Sequence, residues 1–304
     1  MFSANYIGNR SYHQPVSRLP NAYDPYGDNA SLPGSRPNAA LGSVTEYYSG
    51  SWSNYNGVIG TLTSRINWLR LQFNYAYSHA LDTTSNGGFD AFGVNSGGQI
   101  NPYDLRQNYG NADYDTRHYI SANYALTMPH YHGFRSVVGD WDFAGAIFHN
   151  SGYPFSVTNN NGSVVYGNAP LAMQLDNNFN HHCGGVKHTL GYGTACDFAS
   201  HFAPSTDYGQ QRRNQLYGPN YTDFDLDIMK GFKLPGSEAA RLKIGAQFFN
   251  LFNHPNFQIP DFDVNDSTLG VITSTANTPT SILGAFLGGD ASPRLIQFKG
   301  TITF

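Results

Sequence analysis

Side chains of a β-strand alternate between the two faces of its sheet, so a two-residue period of apolar and polar positions marks a strand that buries one face. The final segment, RLIQFKGTITF, puts Ile296, Phe298, Gly300, Ile302 and Phe304 on one face and Gln297, Lys299, Thr301 and Thr303 on the other. The same period recurs in LRLQFNYAYS, where Leu69, Leu71, Phe73, Tyr75 and Tyr77 alternate with Arg70, Gln72, Asn74, Ala76 and Ser78. ISANYALTM, WDFAGAIF and FDLDI repeat it, the last setting Asp223, Asp225 and Asp227 opposite Phe224, Leu226 and Ile228. RLKIGAQFFNLF follows it more loosely, and FSANYIG and residues 55–66 more weakly. The period predicts about eight strands.

The segments between these strands fall into two kinds. Short connections lie near Asn67, at residues 129–140 and at residues 234–240; long ones cover roughly residues 10–45, 81–116, 159–219 and 253–293. The long ones are rich in Asn, Gly, Pro, Ser and Asp, the composition of irregular backbone. Short and long connections alternate. In an up-and-down antiparallel sheet this places every short turn at one end and every long loop at the other, the asymmetry of an outer-membrane barrel. Trp68 then falls at the inner interface, Tyr75 and Tyr77 near the outer one, and Phe304 at the inner one, where aromatic girdles belong.

Composition sharpens this picture. Charged residues make up 12% of the 304 residues, whereas Tyr and Phe number 21 each and Gly 33; about 25% charge is usual in soluble domains. The net charge of −4 and the lack of a basic run argue against a nucleic-acid partner. No apolar run reaches the roughly 18 residues of a membrane helix, but a spanning strand needs only about 9–11 residues, alternately apolar, so the mean hydropathy of −0.41 does not exclude a membrane. The start, MFSANYIGNR, has neither the basic nor the apolar region of a signal peptide, which leaves either a cytosolic protein or a missing natural N-terminus; the barrel pattern favours the second.

Seven blocks in order along nearly the whole chain carry a resemblance: YYSGSWSNYNGVIGTL, FNYAYSHALD, NPYDLRQNYGNADYDTRHYISANYAL, GDWDFAGAIFHNSGYPFSV, RRNQLYGPNYTDFDLDIMKGF, FFNLFNHPNF and PRLIQFKGTITF. With them the chain resembles the C-terminal part of the β-barrel of TonB-dependent outer-membrane receptors of the Oar-like kind. The resemblance implies an all-β, antiparallel up-and-down transmembrane barrel segment over residues 1–304, with short periplasmic turns and long extracellular loops. The family's signal peptide, plug and TonB-contacting segment have no counterpart here. It implies outer-membrane lipid as surroundings and contact with the TonB complex only through those missing parts. It also gives the terminal strand a role: Phe304, with Phe298 and Ile302 on the same face, resembles the signal read by the barrel-assembly machinery.

Chemistry-bearing residues are few. Cys183 and Cys196 share the longest loop, and in an oxidising compartment a disulfide is the first reading. The alternative is a metal site drawn from His181, His182, Cys183, His188, Cys196 and His201, whose spacing matches no standard finger. Asp223, Asp225 and Asp227, with Arg70, Gln72 and Asn74, are candidates to face the lumen. The three carboxylates form either a wet polar wall or a cation site. DFDVND at residues 261–266 opens like a calcium loop but lacks its Gly and its terminal Glu. Arg117 in RHY and the arginines of QRRN could grip anionic sugars or phosphate. No hydrolase, Walker or zinc-protease motif occurs, and no cofactor is implied. The expected function is uptake or recognition of an unidentified extracellular nutrient. An adhesion or scaffold protein without transport is the alternative, and a barrel-embedded hydrolase stands behind both.

Overall fold

The two-residue period is realised in eight long strands: β1 (Phe2–Arg18), β2 (Glu46–Ile66), β3 (Leu69–Asp82), β4 (His118–Thr127), β5 (Trp141–Asn150), β6 (Tyr221–Lys233), β7 (Arg241–Phe249) and β8 (Leu295–Thr303). The computed structural model describes residues 1–22, 36–85, 99–131, 137–162, 171–178, 198–205, 208, 211–234, 240–276 and 293–304. Each long strand pairs antiparallel with the next in chain order, so the sheet is an up-and-down meander. Among the described residues β1 and β8 pair on one side only, and the sheet is open. The short connections, such as Asn67–Trp68, lie at one end and the four long ones at the other, as the sequence pattern requires. No helix among the described residues is long and apolar enough to cross a membrane.

Register keeps the two faces pure across many strands. One continuous row reads Ile66, Leu69, Leu126, Phe143, Ile228, Ala246 and Phe298. Another reads Phe2, Leu62, Phe73, Ala122, Ile147 and Phe224. A one-residue slip anywhere would turn a strand's apolar set to the polar side, so pairing partners enforce each other's register. On the apolar face Tyr124 lies over Gly145, its hydroxyl donating to the Asp225 carbonyl at 3.4 Å. A Cβ at Gly145 would run into both, which is why this crossing needs glycine.

β1, β2 and β3 contain 17, 21 and 14 residues, more than the roughly 9–11 that a tilted strand needs to cross hydrocarbon. Their outer halves carry Ser, Asn, Gln and Tyr on both faces, so the period that marks a half-buried strand is lost there although pairing continues. In place of apolar contact stand the Arg18–Glu46 ion pair at 2.7 Å and the Tyr48 hydroxyl donating to Gln99 at 2.6 Å. The register shifts around Ser11, Gln14 and Pro15 of β1, where His13 takes a φ of 57°. This bulge and its proline sit on an edge strand, where a missing N–H costs no ladder bond.

The apolar face has no protein partner among the described residues. Phe298 is 85% exposed and Phe2 71%, and neither hydrophobic cluster of the molecule includes a residue from that face. The dry core lies in the long loops. Phe155, Val157, Ala172, Phe198, Phe202, Leu216 and Leu269 form it, with Ile259, Phe262, Val264 and Ile272 packed against them. Short ladders brace it, Pro154–Phe155 with Leu216–Tyr217 and Met173–Gln174 with Phe202–Ala203. The four loops are also tied to one another: Tyr103 donates to the Ala22 carbonyl, Gln107 to the Tyr208 carbonyl, and Thr158 and Phe262 pair through their backbones. The loops therefore form one folded layer at the outer end of the sheet.

A buried ionic knot fastens that layer to β3. Arg213 Nη1 donates to Asp82 Oδ1 at 2.6 Å, and Nη2 to Asp113 Oδ1 at 2.8 Å and to Ser85 Oγ at 2.9 Å. Asn214 donates to Asp113 at 2.6 Å, and Asp115 accepts the Ala80 N–H at 2.7 Å. Burial pushes the Tyr114 hydroxyl up to about 12, helped by Asp82 and Asp113, and burial also holds the Asp115 carboxyl above its ordinary value. Removing one partner of such a knot strands the opposite charges in a dry site. Arg213→Met is expected to cost the loop layer about 3–5 kcal/mol. Limited proteolysis should cut the loops while heat-modifiable gel mobility of the strands persists. Adding Asp82→Asn and Asp113→Asn should recover much of the resistance.

Candidate functional site: a polar wall beneath a folded loop layer

The face opposite the apolar rows is a continuous polar wall, and register aligns the two sets of candidate residues on it. Gln72 lies in a row with Asn123, Ala146 and Asp225; Asn74 with Ser121, Phe148 and Asp223; Arg70 with Ala125, Ala144 and Asp227. All six candidates thus share one face, three on β3 and three on β6. Asn74 ties β3 to both its neighbours, accepting from Thr61 of β2 at 3.1 Å and donating to Ser121 of β4 at 3.3 Å.

The three aspartates do not converge on a point. Asp225 accepts the Asn250 N–H at 3.1 Å. Asp227 accepts from Gln247 at 2.8 Å and faces the Lys299 ammonium at 4.0 Å. A fourth wall carboxylate, Asp142, is paired with Lys243 at 2.5 Å. Among the described residues no group of three ligating side chains is placed to hold a metal ion. The carboxylates line a wall on which nearby strands supply cations to Asp227 and Asp142.

Sequence reasoning overlooked an aromatic shelf at the outer end of this wall. Tyr119 meets Phe148 edge-on at 5.1 Å, and Phe148 meets Tyr221 at 5.7 Å. All three stand on the polar side of their strands. The available signal was phase: Phe148 follows Ile147 and so drops out of the apolar set of WDFAGAIF, and Tyr221 precedes FDLDI in the aspartate phase.

The loop candidates divide. Arg213 of QRRN is buried against Asp82 and Asp113, and Arg117 of RHY is paired with Asp115 at 3.0 Å. Both serve internal ion pairs, which corrects their reading as an anion-gripping rim; Arg212 is exposed. His201 pairs with Asp176 at 2.6 Å. The Asn178 N–H and, after it, His201 hold that carboxyl below its usual value. Cys183, Cys196, His181, His182 and His188 lie outside the described residues. Asp263 of DFDVND accepts the Asn265 N–H at 3.0 Å, and repulsion from Asp261, with a smaller part from Asp263, raises the Asp266 carboxyl. At the chain end, Phe298 and Ile302 share the apolar face of β8 and Phe304 follows that strand, 92% exposed.

Residues 1–297 match the model of a family described as an outer membrane beta barrel domain. Among solved structures the chain is similar to the outer membrane transporter YddB from Escherichia coli, with 11% identity and a TM-score of 0.43. That likeness covers 100% of this chain and 30% of the transporter's. No protein of curated function matches. The family match runs from β1 to the start of β8, and it agrees with a sheet whose apolar face is bare among the described residues and whose long connections share one end. The chain belongs to the outer membrane β-barrel domain family, and its place is the outer membrane.

Proposed function

We propose that the chain forms the C-terminal wall of a TonB-dependent receptor that takes up or recognises a nutrient at the cell surface, without enzymatic activity of its own. The observation that carries this reading is the pairing of a folded outer loop layer with a polar wall running inward beneath it. A capture surface at the outside and a wetted path through the membrane are the two parts an uptake protein needs. The aromatic shelf of Tyr119, Phe148 and Tyr221 lies where one meets the other.

Open edges point to a larger barrel. Unpaired N–H and C=O groups cost several kcal/mol each in hydrocarbon, so β1 and β8 need strand partners there. We assign that role to further strands of a longer receptor, whose plug and TonB-contacting segment would supply the coupling to inner-membrane energy. The barrel-assembly machinery would read β8, with Phe304, Ile302 and Phe298 presented on one exposed face.

The loop layer alone would also suit an adhesin, so the test separates the two. Cells carrying the parent receptor are to be grown on a panel of scarce nutrients with TonB present or deleted. Growth that requires both receptor and TonB is the expected outcome; equal growth without TonB overturns uptake and leaves surface binding. Deletion of Phe304 is expected to lower the outer-membrane yield several-fold while the protein refolded in detergent keeps its heat-modifiable mobility. Unchanged yield would remove the assembly role.

A further inference from the structure

Arg65 of β2 and Arg70 of β3 face each other directly across the Asn67–Trp68 turn. Both stand on the polar wall, at its short-turn end, and both are exposed. Like charges set directly opposite on a sheet face destabilise it. Among the described residues neither arginine is in an ion pair. The ion pairs of the wall lie on β5 to β8, Lys243 with Asp142 and Lys299 with Asp227. Asp227 is the carboxylate in the same row as Arg70, with Ala125 and Ala144 between them. Three strand spacings put it about 14 Å away along the sheet, beyond the roughly 8 Å over which exposed charges act at physiological salt. It is also already engaged by Gln247.

The two arginines line a cavity of about 830 Å³ that Thr63, Gln72, Asn123 and Ala125 border on the polar face, with residues of the opposite phase such as Leu71 and Tyr124 also at its margin. The neutral members of this set offer one hydroxyl and two amides, and its only charges are positive. A planar guanidinium presents paired N–H donors that match the two oxygens of a carboxylate or phosphate. The volume is that of a small-molecule site.

We propose that this cavity is an oxyanion site that holds the carboxylate or phosphate of a small anionic solute on the wetted side of the wall. The inference deepens the uptake reading and rests on it for the wall being a lumen; it names the solute's class as anionic. The repulsion between Arg65 and Arg70 is the cost the empty site carries, and a bound oxyanion relieves it.

The test uses the parent receptor purified in detergent, titrated calorimetrically with citrate and with inorganic phosphate. Arg65→Gln, Arg70→Gln and the double variant are compared with Lys299→Gln, which removes one positive charge elsewhere on the wall. Wild type and Lys299→Gln should bind alike, each single arginine variant about tenfold more weakly, and the double variant not measurably. Without anion, Arg70→Gln should unfold at the same or a higher temperature than wild type, whereas an arginine needed for structure would lose stability. Binding that survives the double variant, or no binding of either probe by wild type, overturns the proposal. Binding of hexaglutamate without either small anion overturns it too, and assigns the surface to an acidic polypeptide. These readouts need no TonB, so a failed uptake experiment and a failed site remain distinguishable.

Discussion

The constraint on which the structure depends is that one face of the sheet is apolar across seven consecutive strands and none of the described residues covers it. Phe298, Phe2, Ile244 and Leu62 are all exposed. In water such a surface would far exceed the few hundred Å² that soluble proteins tolerate. Hydrocarbon accepts it without cost but offers no hydrogen bonds, so the backbone must satisfy itself laterally, strand to strand. That requirement explains the antiparallel pairing of every long strand with the next and the glycine at position 145 where strands and a tyrosine crowd.

Conventional folding logic is displaced to the loops. A soluble β-protein buries the faces of its sheet and leaves loops wet; here Phe155, Phe198, Phe202 and Leu216 make the dry core while the sheet faces lipid and water. Loops rich in Asn, Asp and Gly have too little apolar surface to fold on that core alone. Polar groups complete it, each with its partner: Arg213 with Asp82 and Asp113, Asn21 donating to the Asn38, Leu41 and Gly42 carbonyls, Gln211 donating to the Ala172 carbonyl. Such networks hold only when fully satisfied, which makes the layer intolerant of single changes at its centre and tolerant at its rim.

How much of this was legible in the sequence depends on where a residue meets a single environment. Leu69 to Tyr77 and Leu295 to Thr303 cross from lipid on one side to water on the other, and the two-residue period reports it. The outer halves of β1 and β2 lie beyond the apolar rows and carry polar residues on both sides, so residues such as Ser11, Gln14, Ser49 and Ser53 carry no phase, and the strands run longer than their pattern. The placement of Asp223, Asp225 and Asp227 with Arg70, Gln72 and Asn74 on one face followed from alternation. Their partners did not, because Lys299, Gln247 and Asn250 reach them through register between strands far apart in sequence. The role of Arg213 was invisible for the same reason: Asp82 and Asp113 lie about a hundred residues or more away, and an arginine in a polar loop reads as a solvated one.

The wall's charges are sorted by strand. Carboxylates on β5 and β6 meet lysines on β7 and β8, and at the turn end of β2 and β3 Arg65 and Arg70 face each other with no carboxylate paired to them among the described residues. β3 carries both extremes of the molecule: Asp82 in the knot under the loop layer and Arg70 at the turn end. Twelve residues of extended strand separate them, about 40 Å at the rise of a β-strand. Sites that far apart with no shared partner act independently to within a few tenths of a kcal/mol. Substitutions in the outer layer therefore leave the charge at the inner end unchanged, and the ladder between them couples the two only through position.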